Sequence, residues 1–60
     1  MKRLYYAVTD RGCCIRKAEN IEQARKLIIR EVGEYGVKSV SPAKQSDIDW
    51  VKGMGGKIPD

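Results

Sequence analysis

Histidine is missing from this chain altogether, and its two cysteines are neighbours, Cys13 and Cys14. Without an imidazole no Ser/His/Asp or Cys/His relay can be assembled, so no catalytic residue is assigned and an enzyme is not expected. Adjacent cysteines close no useful loop and cannot staple distant segments together. As metal ligands they fall short of the four-ligand sets of structural zinc, and as a redox pair they lack the C-x-x-C spacing. Alternation along a strand sends one thiol to a core and the other to the surface. No stretch approaches the roughly 20 apolar residues of a membrane span. The opening M-K-R-L-Y-Y-A-V-T-D has the basic start and apolar run of a signal peptide, but Thr9, Asp10 and Arg11 break it too soon. A cytoplasmic setting without cofactor, metal, small-molecule substrate or membrane contact is the expectation.

What is present reads as one small globular domain spanning 1–60. At 42% hydrophobic and 33% charged residues, the 60-residue chain is balanced for folding rather than disorder. A core this small rarely supplies more than about 3–5 kcal/mol, so tight packing or a partner must make up the rest. A homodimer or a protein partner is therefore expected. The net charge of +4 is uneven: residues 1–30 carry +5 and residues 31–60 carry −1. A basic half beside a neutral one suits either an anionic partner or a solubilising surface. Glu22 and Lys26, and Arg30 and Glu34, are spaced to pair along a helix and would consume part of that excess.

The organising stretch is Asn20 to Gly33. Ile21, Ala24, Leu27, Ile28 and Val32 recur at helical spacing and form one apolar stripe. Asn20 caps the first turn, Gln23 completes a box-like pair, and Gly33 suits the residue that ends a helix. Before it, Arg3–Thr9 alternates as a strand, Asp10-Arg11-Gly12 makes a turn with Gly12 free to take positive φ, and Cys13–Ala18 returns. A two-residue loop at Arg11-Gly12 pairs Val8 with Ile15 and Tyr6 with Lys17. It gathers Leu4, Tyr6, Val8, Cys13 and Ile15 as the floor for the helix and leaves Arg3, Tyr5, Ala7, Thr9, Cys14 and Arg16 on the other face. A loop one residue longer would exchange Ile15 to the polar side. After the helix, Val37–Ser41 is a third, weaker strand ended by Pro42.

This predicts an α+β fold of order β-β-α-β-α. The sheet is three-stranded and antiparallel in order 2-1-3, with the main helix packed on one face. Ser46-Asp47-Ile48-Asp49 signals a short second helix with Ile48, Val51 and Met54 along one side, stopped by Gly55-Gly56. Three docking places are open to it: the second face of the sheet, the flank of the first helix, or another subunit. Residues 57–60 read as a loose tail.

Few constellations suggest chemistry. Gly53-Met54-Gly55-Gly56-Lys57 has the look of a phosphate loop. However, Val51 stands where the first glycine belongs, Ile58 replaces the Ser/Thr, and the glycines close a helix instead of opening one. Asp47 and Asp49 lie two apart and do not face each other on a helix, which argues against an acid/base pair. Trp50, the lone tryptophan, reads as an anchor for the short helix or, with Met54, as a protein-contact hot spot. Arg3, Tyr5, Arg16 and Lys38, extended by Lys2 and Arg11, form a candidate nucleic-acid face in which a ring stacks on a base while cations meet phosphates. The same face also reads as one covered by the second helix or buried at a dimer interface, or as plain solvated surface. Arg25, Lys26 and Arg30 on the outside of the main helix form a second basic patch or a plain solvated face.

The succession Y-Y-A-V-T-D, turn, strand, A-E-N-I-E-Q-A-R and the ending S-D-I-D-W-V-K-G-M-G-G-K-I-P resembles short open reading frames of bacterial phages and prophages. The likeness runs over most of the chain. It implies an inhibitor or adaptor of host machinery, a role that small phage proteins often play, some of them against bacterial immune complexes. It implies no particular binding residue.

Overall fold

The computed structural model describes residues 1–59. Three strands, β1 (Arg3–Thr9), β2 (Gly12–Ala18) and β3 (Val37–Pro42), form one antiparallel sheet in the order β2-β1-β3. Helix α1 (Ile21–Val32) connects β2 to β3 through a single 3-10 turn at Glu34–Gly36, and a short helix α2 (Gln45–Gly53) follows β3.

The ends of α1 form as the side chains dictate. Asn20 is extended, at φ −153°, and its Oδ1 accepts from the Gln23 N–H at 2.8 Å. Gln23 does not return to Asn20; its Oε1 accepts from the Glu19 N–H instead. At the far end Gly33 takes φ 87° and donates its N–H to the Ile29 carbonyl. A side chain there would be strained.

The hairpin closes one residue earlier than the spacing suggests. Asp10 and Arg11 are the loop, Thr9 stands opposite Gly12, and Tyr6 and Val8 pair with Ile15 and Cys13. Within the hairpin only Gly12 has positive φ, at 112°, as in a type I turn followed by a left-handed glycine. The Thr9 hydroxyl fixes that turn by accepting from the Arg11 N–H and donating to the Gly12 carbonyl, which is how a buried polar group is satisfied.

The shift leaves the membership of each face unchanged but reverses which face the main helix covers. The carbonyl of Leu4 accepts from the Ala43 N–H on the β3 side. Alternation then turns the backbone groups of Arg3, Tyr5, Ala7 and Thr9 toward β2. Because β2 and β3 run parallel with β1 between them, β2-α1-β3 is a split crossover, and such crossovers are right-handed. With the odd residues bonded to β2, a right-handed path lays α1 over the odd side chains. Tyr5, Ala7, Ala18 and Val40 accordingly pack with Ala24 and Ile28 in the main core, flanked by Cys14, Leu27, Val32 and Val37. Leu4, Tyr6 and Val8 are not the floor of α1, contrary to the sequence expectation. The small side chains of Ala7 and Ala18 let the helix come close. Ile21 lies at the rim, 41% exposed.

The other face is the floor of α2. Ile15 (0% exposed) and Val51 (2%) are buried outside the main core, and Leu4, Tyr6, Val8 and Ile48 are half-buried. Of the three docking places open to α2, it takes the second face of the sheet. The helix begins at Gln45, one residue ahead of Ser46, because Asp47 reaches back to accept from the Lys44 N–H at 3.0 Å. It ends as a paired glycine stop, with Gly55 (φ 84°) donating to the Lys52 carbonyl and Gly56 to that of Val51. In the tail, Lys57 is exposed, Ile58 and Pro59 are half-buried, and Asp60 lies outside the described residues.

Candidate protein-contact site on the second helix

Val51, not Trp50, is the anchor of α2. A residue one step before the anchor is turned about 100° from it around the helix, and Trp50 is left 59% exposed. Met54 follows one turn later and is 52% exposed. Side chains four apart are neighbours on a helix surface. The ring and the thioether therefore form one outward apolar patch on a segment fixed from below by Val51 and at its end by the glycine stop. Their neighbours Gln45, Ser46, Asp49 and Lys52 are exposed, and Gln45 Nε2 donates to Asp49 Oδ1 at 3.1 Å. A polar rim around an aromatic and a flexible apolar chain is the anatomy of a contact hot spot.

The basic candidates are not brought together. Tyr5 lies beneath α1, 7% exposed. Arg16 is on the same covered face and is engaged: Nε lies 3.0 and 3.1 Å from the two Glu31 carboxylate oxygens, Nη2 forms the ion pair at 2.9 Å, and Nη1 donates to the Ile15 carbonyl at 2.9 Å. The carboxylate pushes the guanidinium pKa further up, against a smaller effect of burial. Arg3 is exposed opposite Ala18 at one end of the sheet, and Lys38 is exposed at the irregularity opposite Val8 and Thr9 at the other. Lys2 and Arg11 are exposed, as are Arg25, Lys26 and Arg30. Among the described residues neither Glu22–Lys26 nor Arg30–Glu34 closes as an ion pair; α1 stops at Val32, short of Glu34.

The two thiols point to opposite faces. Cys13 accepts a hydrogen bond from the Tyr6 hydroxyl at 3.0 Å. That bond, more than burial, pushes the phenol up to about 12. Burial pushes the Cys14 thiol up, and the Arg16 guanidinium lowers it by less. Cys14 lines a shallow open groove of about 280 Å³ with Thr9, Arg11, Arg16 and Glu31.

The sequence reading missed the hold of Arg16 on its own strand. Its signal was present only indirectly, as an arginine on an edge strand fifteen residues before a glutamate at the end of the helix.

Fold and surface together define a small α+β domain whose sheet is clasped between two helices. Among the described residues no helix is long and apolar enough to cross a membrane. No protein-family model, curated protein or solved structure matches the chain.

Proposed function

We propose that this chain is a non-catalytic protein-binding module, an adaptor or inhibitor of phage or mobile-element type that works in the cytoplasm. Its partner contacts the Trp50–Met54 patch of α2. The observation that carries this reading is the exposure of both side chains, Trp50 in the last turn of α2 and Met54 at its cap, on a segment anchored by Val51. Aromatic and methionine side chains concentrate binding energy, and their exposure has no use in holding this fold. The basic first half as a nucleic-acid surface has less support, since Tyr5 is core and Arg16 is committed to Glu31.

The test is capture from bacterial extract on immobilised protein, with and without nuclease, using the wild type and a Trp50→Ala/Met54→Ala variant. A protein retained by the wild type after nuclease, and lost at least tenfold with the variant, supports the reading. Truncation of a hot-spot residue costs about 2 kcal/mol or more, well over tenfold. Capture that ignores the substitutions, or that disappears with nuclease, refutes it. Thermal unfolding of the variant should stay close to wild type, because neither side chain is buried.

A further inference from the structure

Strand β2 forms one margin of the sheet, and half of its backbone looks outward. Arg3, Tyr5, Ala7 and Thr9 turn toward it, so their partners Ala18, Arg16, Cys14 and Gly12 are the inward-bonding residues of β2. The N–H and C=O groups of Cys13, Ile15 and Lys17 therefore face away from the sheet. At the opposite margin, the outer backbone of β3 falls on Lys38, Val40 and Pro42. Pro42 has no N–H, and the ladder is irregular at Val8/Thr9. Proline, lysine and a bulge are the usual devices that spoil an edge for pairing.

The β2 margin has no proline or bulge, and its one lysine, Lys17, stands near its end. It has one side chain laid across its midpoint, where Arg16 Nη1 donates to the outward carbonyl of Ile15 at 2.9 Å while the rest of the guanidinium grips Glu31 of α1. The ion pair stands in water, with 36% and 45% of the two side chains exposed, so it is weak and easily screened.

We propose that β2 is a self-pairing edge that Arg16 and Glu31 hold shut, and that a second copy of this chain adds its own β2 there when the pair opens. Charge and hydrogen bonding select the register. Identical antiparallel strands meet about a two-fold axis, and bonds form only where outward-facing residues meet outward-facing residues. An axis at Ile15 overlaps all seven residues of β2. It sets Ile15 opposite Ile15, Cys13 opposite Lys17, Cys14 opposite Arg16 and Gly12 opposite Ala18. Each cation then faces a thiol. An axis at Arg16 would put two guanidinium groups face to face, and an axis at Cys14 would set Arg11 against Lys17 and shorten the overlap; like charges directly opposite are unfavourable. The pairing uses the backbone of β2 and not the Trp50 or Met54 side chains, so neither proposal depends on the other.

Sedimentation equilibrium over a wide dilution series tests the latch. Glu31→Gln keeps the size of the side chain and removes its charge, and it should tighten dimerisation about tenfold. Raised salt should favour the wild-type dimer more than the variant's, because screening of the net charge acts on both and loosening of the ion pair on the wild type alone. Arg16→Cys tests the register. It removes the latch and sets a thiol opposite Cys14 of the second copy at a non-hydrogen-bonded pair. Such pairs have Cα atoms about 4.5 Å apart, within disulfide reach. With diamide as the oxidant, chains should join through positions 14 and 16, and adding Cys14→Ser should abolish the joining. A Glu31→Gln protein no more dimeric than wild type overturns the latch. An Arg16→Cys protein that is folded by circular dichroism yet stays unlinked, or that still links after Cys14→Ser, overturns the register. If Arg16→Cys fails to fold, the Glu31→Gln comparison decides.

Discussion

If α2 is docked on the second face of the sheet, Ile15 and Val51 should be energetically coupled, and a pair of small truncations can show it. Both side chains are fully buried, at 0% and 2% exposure, and neither belongs to the α1 core. Ile15→Val removes one methylene from a packed site and should cost about 0.5–1.5 kcal/mol; Val51→Ala removes two and should cost about 2 kcal/mol. A domain of this size holds only about 3–5 kcal/mol in total, which is why alanine at position 15 is avoided. Each kilocalorie should lower the midpoint of thermal unfolding by about 4–8 °C. In the double variant the losses should fall short of their sum by at least about 0.5 kcal/mol, as for residues in contact. Ile28→Val, on α1, is the comparison: it should cost as much as Ile15→Val and add to Val51→Ala without coupling. Urea unfolding followed by far-UV circular dichroism measures the wild type, the three single variants and the two double variants. If Ile15→Val and Val51→Ala each cost less than about 0.3 kcal/mol while Ile28→Val costs its full share, the second face is not a core and α2 does not lie there.

Two other perturbations probe contacts that hold the hairpin. A Cβ at Gly36 would meet the Asp10 carboxylate at 3.0 Å and the Val32 side chain at 3.2 and 3.3 Å, in a turn whose carbonyl accepts from the Asp10 N–H. Gly36→Ala should therefore cost about 1–3 kcal/mol in urea unfolding; a neutral or stabilising result would show that Asp10 and Val32 yield to the added methyl and that the turn is not tightly packed. The Tyr6 phenol, pushed up to about 12 by its bond to Cys13, is raised above its unfolded value near 10. Its contribution to stability is thus fully present below pH 10 and is lost as the pH climbs toward 12. Absorbance titration at alkaline pH should show a late step that Cys13→Ala moves down and Tyr6→Phe removes. A Tyr6 step that Cys13→Ala leaves in place would rule the bond out.

The proposed contact surface was partly legible. Trp50 and Met54 stand out in the chain as large apolar residues beside a glycine stop, but anchor and contact have the same composition. Only the phase of α2 separates them, and it depends on where the helix starts. The Asp47 carboxylate sets that start at Gln45, and Val51 rather than Trp50 then meets the sheet. The basic candidate face was legible in its membership and not in its exposure. Arg3, Tyr5 and Arg16 do share a face, as alternation requires, but that face is the one α1 covers.

That face was chosen by a single residue in a loop. The element order, the sheet order and the membership of both faces follow from hydrophobic spacing, and all three stand in the structure. With Arg11-Gly12 as the loop, Leu4, Tyr6 and Val8 would bond to β2, and a right-handed crossover would lay α1 on them, agreeing with the greater apolar bulk of that side. With Asp10-Arg11 as the loop, the bonding set becomes Arg3, Tyr5, Ala7 and Thr9, and the same rule moves α1 to the opposite face. Apolar bulk does not resist the move, because α2 is there to cover what α1 leaves: Leu4, Tyr6, Val8 and Ile15 still pass out of water. The Thr9 hydroxyl, bonded to the Arg11 N–H and the Gly12 carbonyl, holds the loop at the earlier position. Through it, one buried side chain at a turn determines which surface of the sheet is core to the long helix and which supports the short one.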